Sequence, residues 1–391
     1  MSDSPIRILT ITTLYPNSQQ PAHGIFVENR LRWLTRDGRV EACVIAPVPW
    51  APPLIPRYAR LRAVPRKESR NGFTVYHPRY LVVPKIGMNV TPYTLYRCIL
   101  RQYSELVRAG ERVDLIDAHY FYPDGVAAEM LGRKFGIPVV ITARGTDVNL
   151  IPQFPRPRQL ILNAAQRAGA LITVCQALKD QLAELGVPAS KITALRNGVD
   201  LEQFRPLDRA ALRAKWQATG FVLASVGLLI ERKGHHLVIQ ALTKIPDATL
   251  LVAGDGPDRA RLESQARTLG VDGRVRFLGA LDTGSLREIY NCADALVLAS
   301  SREGWANVLL ESMACGTPVV ATAVWGTPEV VAAPEAGLLI ERRDAASVAE
   351  ALMRLRSHLP DRLATRRYAE KFDWQPTTEG QIKLFRALLS R

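Results

Sequence analysis

A chain of 391 residues, 47% of them hydrophobic, is long enough for two globular domains of about 150–200 residues each. It contains no apolar run of the roughly 18–20 residues that span a bilayer, and its first residues lack the basic and apolar regions of a secretory signal. The five cysteines are scattered without a CxxC pair, which argues against a disulfide framework and a zinc site and predicts a reducing cytosol.

The formal net charge of +14 is concentrated in residues 51–110, which hold 11 basic and 2 acidic side chains. Three kinds of partner would suit such a surface: anionic lipid, nucleic acid or an acidic saccharide. The sequence has no helix-turn-helix, zinc-module or RNP-like pattern, so we expect no nucleic-acid partner.

Residues 1–200 alternate apolar strands with amphipathic helices, the pattern of a parallel sheet covered on both faces. The predicted helices include residues 25–35, 125–135 and 176–185. The predicted strands are residues 6–12, 40–46, 115–118, 139–142, 170–174 and 192–195.

A further amphipathic helix is predicted inside the basic segment 51–110. Thr91 and Pro92 suit its start, because a threonine caps a helix and a proline fits its first turn. Its apolar face would comprise Leu95, Ile99, Tyr103, Leu106 and Val107. With basic side chains beside that face and the apolar loop of residues 80–88 before it, the segment would suit an anionic membrane surface. The alternative is a helix packed on the sheet with a solvated basic face.

The alternation is interrupted at residues 197–200 and Pro206, where we place the linker between a first domain, residues 1–200, and a second, residues 201–373. An amphipathic helix is predicted over residues 374–389. Strands resume in the second domain at residues 222–226, 249–253, 275–278, 295–299 and 318–321, with helices between them. Both halves therefore predict a doubly wound α/β domain.

The most informative segment is residues 303–318, EGWANVLLESMACGTP, in which Glu303 and Glu311 are eight positions apart. An apolar strand leads into Glu303, Gly304 opens a turn, and a short helix begins at Asn307. A strand, a glycine turn and a helix in this order direct free backbone N–H groups and the positive end of the helix toward an anion. We expect the two acids to reach ligand hydroxyls on either side of a bound phosphate.

A second candidate segment is LLIERKG at residues 228–234, directly after a predicted strand. Arg232 and Lys233 would place two positive charges beside a diphosphate, and Gly234 would begin the next helix without an obstructing side chain. The alternative is an ordinary surface loop with solvated charges.

Two residues of the first half lie where doubly wound domains bind ligands, at the carboxyl ends of strands. Gly24, at the head of the helix after the first strand, would let the chain approach a phosphate or sugar closely. His119 ends another strand, and such a histidine is as readily structural as functional.

The spacing of Glu303 and Glu311 resembles the EX7E pattern of the retaining GT-B glycosyltransferases of family 4, and the resemblance extends from end to end of the chain. It implies an α/β fold of the GT-B type, in which two Rossmann-like doubly wound domains face each other across a cleft. Residues 1–200 would then lie on the acceptor side and residues 201–373 would bind the nucleotide sugar. The C-terminal helix, residues 374–391, would pack back on the first domain.

The same resemblance implies the reaction. A sugar would pass from a nucleoside diphosphate sugar, most commonly a UDP-sugar, to a saccharide or lipid-linked saccharide acceptor of a bacterial cell-surface polysaccharide. Retention would follow from front-face substitution, in which the leaving phosphate takes the proton of the acceptor. The sequence has no Asp-x-Asp motif, so we expect no metal and no cofactor beyond the nucleotide sugar. The enzyme would work in the cytoplasm or on the inner face of the membrane.

The resemblance also assigns roles in the second domain. Glu303 would bind the hydroxyls of the donor sugar and Glu311 those of the ribose, with Lys233 beside the diphosphate. The remaining donor-binding candidates are Gly304, the amides of Asn307, Val308 and Leu309, and the backbone at Leu278, which would pair with the base.

Two positions depart from the family's pattern. The arginine that usually follows the strand glycine is Leu228 here, and Arg232 would supply the missing charge. The motif that ends in the donor-binding candidate Asp147 has Arg144 where the family has a histidine that touches the donor sugar. An arginine cannot act as a base at neutral pH. Either the family histidine is not a proton acceptor, or His119 takes over part of its role, or Arg144 pairs with an anionic group such as a uronic acid or a phosphate.

Two other functions fit the same fold. A sugar-nucleotide epimerase would need an acid/base set but no acceptor pocket, and the EX7E spacing is not its hallmark. A non-catalytic sugar-nucleotide-binding protein is the other alternative, which the presence of both acids together with Lys233 disfavours.

Overall fold

A computed structural model of the chain describes residues 4–50, 56–83 and 87–390. The chain divides into two compact units, Met1–Arg196 with Gln375–Arg391, and Asn197–Trp374. Each unit is built around a largely parallel sheet, which confirms the predicted α/β class. Residues 51–55 and 84–86, part of the predicted membrane-contact segment, lie outside the described residues.

The first unit contains one large sheet and one small one. Its strands are β1 (Ile6–Ile11), β2 (Val40–Ile45), β3 (Val48–Trp50), β4 (Lys67–Arg70), β5 (Phe73–Tyr76), β6 (Arg79–Leu81), β7 (Leu115–His119), β8 (Val139–Ala143), β9 (Ala170–Thr173) and β10 (Ile192–Ala194). The large sheet has the order β10-β9-β8-β7-β1-β2-β5-β4 and is parallel except for the β4–β5 pair, while β3 pairs with β6. Strands β7, β8 and β9 are buried along their whole length, as expected for strands covered on both faces.

Helices follow most strands of this unit. They are α1 (Ile25–Thr35), α2 (Gly87–Arg108), α3 (Val126–Phe135), α4 (Thr146–Asn149), α5 (Pro155–Arg167) and α6 (Gln176–Glu184). Helix α1 covers the residues that the sequence predicted for it. Its side chains Val27, Leu31 and Leu34 join β1 and β2 in the core of the unit.

Helix α2 begins at Gly87, so the predicted start at Thr91 and Pro92 is wrong. Pro92 lies inside the helix and lacks an N–H group, which leaves the carbonyl of Met88 without its helical partner. The Tyr122 hydroxyl donates to that carbonyl instead, and Thr91 Oγ1 donates to the Gly87 carbonyl at 2.7 Å. A partner from elsewhere in the unit thus makes the internal proline tolerable.

The predicted apolar face of α2 packs inside the first unit, as in the alternative interpretation of this helix. Its buried members are Leu95, Ile99, Tyr103 and Leu106, whereas Val107 is exposed. The Tyr103 ring meets Phe135 edge-on, with 4.9 Å between ring centroids. A membrane contact in this region would therefore need side chains outside that face.

The second unit has a six-stranded, fully parallel sheet. Its strands are β11 (Phe221–Val226), β12 (Ala248–Ala253), β13 (Val275–Gly279), β14 (Ala295–Leu298), β15 (Val319–Thr322) and β16 (Gly337–Ile340). They run in the order β13-β12-β11-β14-β15-β16. The direction of winding therefore reverses between β11 and β14, and the carboxyl ends of these two strands are where an open α/β sheet binds its ligand.

The helices of the second unit are short and several begin at an aspartate. They are α7 (Arg209–Lys215), α8 (His235–Ala241), α9 (Arg259–Thr268), α10 (Thr283–Cys292), α11 (Asn307–Ala314), α12 (Thr327–Val330), α13 (Ala345–Ser357) and α14 (Arg362–Ala369). The carboxylates of Asp208, Asp282, Asp344 and Asp361 accept backbone N–H groups in the first turns of α7, α10, α13 and α14. Such caps satisfy donors that a helix leaves unpaired.

The C-terminal helix α15 (Gln375–Leu389) belongs to the first unit, although it follows the second in the chain. Ile382 and Phe385 are buried in the core of the first unit with residues of α1 and β1. The side chain of Gln381 is buried there as well.

Candidate active site

The carboxyl ends of three neighbouring strands in the second unit are unusually close-packed. Gly227 follows β11, Gly254 follows β12, and Gly279 ends β13. A side chain at Gly254 would place its Cβ 1.9 Å from the Gly227 carbonyl oxygen, and the Gly254 N–H donates to the Gly279 carbonyl at 2.8 Å. The glycines let three loops meet where side chains would hold them apart.

Glu303 lies in the loop between β14 and α11 and is only 8% exposed. Its Oε1 accepts hydrogen bonds from Lys233 Nζ at 2.6 Å and from Ser300 Oγ at 2.7 Å. Arg232 Nη1 lies 4.0 Å from the same oxygen. The structure thus brings three of the predicted residues together, and a buried carboxylate with a charged partner is a strong interaction.

Lys233 reaches Glu303 because the turn that carries it packs directly on the end of β14. The turn Glu231–Lys233 is followed by Gly234 in the left-handed conformation, with φ of 75°. A Cβ at Gly234 would lie 2.0 Å from the Ala299 carbonyl oxygen. The Ser301 N–H donates to the Arg232 carbonyl at 2.9 Å and ties the two loops together. Glycine is therefore required at this position for the approach.

The charge expected at Leu228 is present nearby. The Leu228 side chain is 59% exposed, while Arg232 Nη1 donates to the Arg302 carbonyl at 2.8 Å and keeps its guanidinium beside Glu303. Arg232 and Lys233 are thus held by contacts within the chain, whereas Leu228 is exposed. That Arg232 supplies the missing charge stays a prediction.

Glu311 lies in the second turn of α11, half-buried against the neighbouring helix. Its Oε2 accepts a hydrogen bond from the Tyr290 hydroxyl of α10 at 2.8 Å. Burial raises the pKa of Glu311 to about 7, and the hydrogen bond from Tyr290 opposes that rise. Sequence reasoning missed Tyr290, because a tyrosine beside Ile289 and Cys292 in an amphipathic helix is typical of a core residue.

The first turn of α11 is positioned by the loop before it. Gly304 lies in the bend between Glu303 and Trp305, and Trp305 Nε1 donates to the Asn197 carbonyl at 3.0 Å. The Leu309 N–H donates to the Ala306 carbonyl at 3.0 Å, so this amide has a protein partner. The amides of Asn307 and Val308 open the helix, where N–H groups have no partner within the helix.

Leu278 lies at an irregularity between β12 and β13. Val252 pairs with Phe277 and Ala253 with Gly279, so Leu278 is the extra residue of a β-bulge. The extra residue of a bulge is left out of the ladder.

In the first unit, His119 is engaged on both sides of its ring. Nε2 lies 3.0 Å from Asp117 Oδ2, and Arg144 Nη2 donates to Nδ1 at 2.7 Å. Because Nδ1 accepts, Nε2 carries the proton and donates to Asp117. Burial lowers the pKa of His119 to about 4. Both ring nitrogens thus have partners, which leaves no free lone pair for the proton chemistry expected of His119.

Arg144 is 9% exposed, and its guanidinium lies 5.3 Å from the centroid of the Phe26 ring. The Asp147 carboxylate accepts backbone N–H groups from Arg144, at 3.1 Å, from Gly145, at 2.7 Å, and from Phe121, at 2.7 Å. Asp147 therefore holds the Arg144 loop in place, and its role in donor binding stays a prediction.

Gly24 has φ of 68°, and a Cβ there would lie 2.2 Å from the carbonyl of Leu14. This glycine thus permits a close approach to the chain after β1, and its approach to a ligand stays a prediction. Asp124, which the sequence analysis missed, accepts hydrogen bonds from the Thr13 N–H and Oγ1. Burial raises the pKa of Asp124 to about 8.

A buried polar network supports this end of the first unit. Arg30 Nε donates to Gln381 Oε1 at 2.8 Å, and Gln381 Nε2 donates to Asp117 Oδ2 at 3.2 Å. The network joins α1 and α15 to β7, and through His119 to Arg144. These hydrogen bonds attach α15, from the C-terminal end of the chain, to α1 and β7 of the first unit.

Within the described ranges, no group of three or more His, Cys, Asp or Glu side chains is arranged to hold a metal ion. No helix of the described residues is long and apolar enough to cross a membrane.

Two family descriptions match the chain in sequence. Residues 27–203 match Glycosyltransferase Family 4, and residues 208–372 match Glycosyl transferases group 1. A D-inositol 3-phosphate glycosyltransferase of Saccharomonospora viridis is 32% identical over 306 residues, 71% of this chain and 70% of that protein. A protein of Bacillus subtilis, named for teichuronic acid biosynthesis as glycosyltransferase TuaC, is 28% identical over 361 residues, 89% of each chain.

Solved structures match the fold over nearly the whole chain. Sucrose-phosphate synthase from Thermosynechococcus elongatus gives a TM-score of 0.82 at 20% identity, with 99% of each chain covered. HepE from Anabaena, in complex with UDP and glucose, gives 0.74 at 20% identity, with 97% of this chain and 98% of that chain covered.

The fold and these matches define a glycosyltransferase with the GT-B fold, an enzyme that transfers a sugar residue. Within that class, the chain belongs to glycosyltransferase family 4.

Proposed function

We propose that this glycosyltransferase moves a sugar from a UDP-sugar to a saccharide or lipid-linked saccharide acceptor in cell-envelope polysaccharide synthesis, with retention of configuration. The observation that carries the proposal is the Lys233–Glu303 ion pair in the loop before α11, with Glu311 eight residues further on. This arrangement offers a cation, N–H groups and two acids to one elongated ligand, as a nucleoside diphosphate sugar requires.

The order of these residues along the site suggests how the nucleotide sugar would lie, from the sugar at Glu303 to the base at Leu278. Glu303 would bind sugar hydroxyls, the amides of Asn307 and Val308 the pyrophosphate, and Glu311 the ribose. The bulge at Leu278 would present backbone groups to the base. The complex of HepE with UDP and glucose supports UDP as the carrier, because that protein shares the fold.

The leaving diphosphate gains negative charge as its bond to the sugar breaks, so positive groups beside it carry much of the catalysis. Lys233, Arg232 and the α11 amides would supply these groups, and we propose that they do so without a metal ion. Activity that is unchanged by a chelator is the expected result. Arg232→Ala should lower turnover or donor affinity, and a variant with both unchanged would remove Arg232 from the site.

Retention would follow if the acceptor oxygen attacks on the face from which the diphosphate departs. The bond from the anomeric carbon to the phosphate oxygen breaks, the bond to the acceptor oxygen forms, and the proton passes to the leaving phosphate. The engagement of His119 on both ring nitrogens supports this route, since that histidine is not available as a base. NMR of the product should show the anomeric configuration of the donor.

Arg144 would recognise an anionic group on the donor or acceptor, such as a uronic acid or a phosphate. Its charge at the end of β8, oriented by His119 and Asp147, supports this assignment. Arg144→Ala, which removes the charge, should lower activity on a charged sugar more than on its neutral counterpart, and Arg144→Lys should do so to a smaller extent. Equal losses on both sugars would rule out charge recognition.

An acceptor on a lipid carrier would bring the enzyme to a membrane, and the first unit offers a surface for it. Trp50 pairs with Leu81 across the β3–β6 sheet, and the Leu81 carbonyl accepts from Thr94 Oγ1 of α2 at 2.9 Å. Exposed apolar side chains on these elements are Trp50, Leu81, Met88 and Tyr93, and Arg97 and Arg101 of α2 are exposed as well. We name these six residues the apolar-basic patch and propose that it contacts anionic lipid.

A thermal-shift panel of UDP-, GDP-, ADP- and CDP-sugars tests the donor class. We expect UDP-sugars to raise the melting temperature most, since a ligand stabilises the state that binds it. Stronger stabilisation by another nucleotide would replace UDP in the proposal, and no stabilisation by any of them would contradict the donor site. Product analysis with and without an acceptor completes the test, because an epimerised donor formed without acceptor would contradict transfer.

A further inference from the structure

Tyr290 and Glu311 form a hydrogen bond between two helices of the second unit. The hydroxyl of Tyr290, in α10, donates to Glu311 Oε2, in α11, at 2.8 Å. Among the described residues, no second hydrogen bond to the Glu311 carboxylate is found. One carboxylate oxygen is thus held by the protein, and the other, Oε1, remains for a ligand.

The tyrosine is fixed along its length. Its side chain is fully buried, and its ring lies 6.0 Å from that of Phe204, centroid to centroid. Its backbone carbonyl accepts from Thr317 Oγ1 at 2.6 Å. Because the side chain is packed in the core and the backbone is hydrogen-bonded, the orientation of the Tyr290 hydroxyl is fixed. The hydroxyl points toward Glu311.

We propose that Tyr290 is a positioning residue of the donor site, whose hydroxyl orients Glu311 and keeps its carboxylate ionised so that Oε1 accepts hydrogen bonds from the ribose hydroxyls. The inference rests on the proposed function, in which Glu311 binds the ribose of the donor. Tyr290 acts only through Glu311 and touches no substrate itself.

Few titratable groups surround Glu311, so the effect of Tyr290 can be isolated. Cys315, just after α11, interacts with both Glu311 and Tyr290. The charged side chains that face Cys315 are Arg287, Arg362 and Arg366. Burial and then the charge of Glu311 raise the pKa of Tyr290, so the tyrosine keeps its proton and remains a donor. Loss of its hydroxyl removes the contact that opposes the raised pKa of Glu311, so that pKa must rise further.

The test is the affinity for UDP, measured by calorimetry as a function of pH in the wild type, Tyr290→Phe and Glu311→Gln. In the wild type, binding should weaken as pH falls through the pKa of Glu311. In Tyr290→Phe the midpoint should move up by about one to two pH units, which weakens binding roughly fivefold to fiftyfold at neutral pH. At high pH Glu311 is ionised in both proteins, so only the loss caused by its poorer orientation should remain and the difference in affinity should be smallest. The phosphates of UDP titrate identically in all three experiments, so differences report the protein.

Each alternative outcome has a distinct meaning. Equal weakening of Tyr290→Phe at every pH, or no change at all, would overturn the role of Tyr290. Undiminished UDP binding by Glu311→Gln would instead overturn the ribose contact of the proposed function, whatever Tyr290→Phe shows.

A second replacement covers the case in which Tyr290→Phe does not fold. 3-Fluorotyrosine at position 290 preserves the ring and makes the hydroxyl a stronger donor, so the midpoint of UDP binding should move down, opposite to the phenylalanine variant. An unchanged midpoint would contradict the proposal.

Discussion

At the scale of single residues, the main feature of the candidate site in the second unit is the ion pair between Lys233 and Glu303. Lys233 and Glu303 neutralise each other at 2.6 Å in a largely buried loop. A donor diphosphate would compete with Glu303 for Lys233, and the sugar hydroxyls would then donate to the released carboxylate. In the proposed site the pair would keep both groups oriented before the substrate arrives, which would lower the cost of organising them in the transition state.

Replacing Lys233 by methionine removes the charge but keeps most of the side-chain volume. We expect kcat to fall by about 10²–10³, since the positive charge matters most when the phosphate departs. Lys215→Met is the matched control, because Lys215 is also paired with an acid, Glu288, at 2.7 Å, but on the surface. Steady-state kinetics of both variants decide the matter, and equal losses in the two would exclude Lys233 from catalysis.

Residues whose signal is local could be predicted from the sequence, and those whose partners are distant could not. Glu303 and Lys233 were found because each follows a strand and precedes a glycine and a helix. Tyr290 precedes its partner by 21 residues, and Asp124 binds a residue 111 positions away. A pairing across elements leaves no periodic pattern in the chain, so only the fold reveals it.

At the scale of elements, the beginnings of helices fix the loops around the candidate site. Gly24 and Gly234 both take the left-handed conformation directly before a helix, and both press against the backbone of a neighbouring loop. The sequence predicted the bounds of α1 and of the strands β7 to β9 to within one residue, because α1 has an amphipathic period and each strand contains a short apolar run. It missed β4, KESR, because an edge strand needs no apolar pattern.

Gly24→Ala should destabilise the first unit more than Gly38→Ala. Both positions have positive φ, which costs an alanine about 1–2 kcal/mol. A Cβ at Gly38 meets open space, whereas one at Gly24 meets the Leu14 backbone at 2.2 Å. Differential scanning calorimetry should therefore show a clearly larger drop in melting temperature for Gly24→Ala. Equal drops would show that the Leu14 loop yields without cost.

At the scale of the whole molecule, the net charge of +14 is unevenly distributed, and residues 51–110 carry most of the excess. This asymmetry is read directly from the sequence, and the alternation of strands and helices predicted the α/β class. The sequence predicted the apolar face of α2 but not what covers that face, because the same pattern suits a membrane surface and a neighbouring sheet, and only tertiary packing decides between them. The exposed apolar-basic patch is what remains for a partner after that packing.

Flotation with liposomes tests the patch. The wild type should float with vesicles that contain anionic lipid, less so at high salt, and little with neutral vesicles, because each basic side chain near an anionic surface contributes about 1 kcal/mol. Tyr93→Glu with Arg97→Glu should abolish flotation. The matched control Arg133→Glu, at an exposed position of α3, should retain it. Binding that ignores both salt and lipid charge would contradict the proposal.

The most direct measurement is a crystal structure of the full chain with UDP bound. We expect the pyrophosphate within hydrogen-bond distance of the Asn307 and Val308 amides, the ribose on Glu311 Oε1, and the base at the backbone of Leu278. Nucleotide density that lies away from the first turn of α11 would contradict the account.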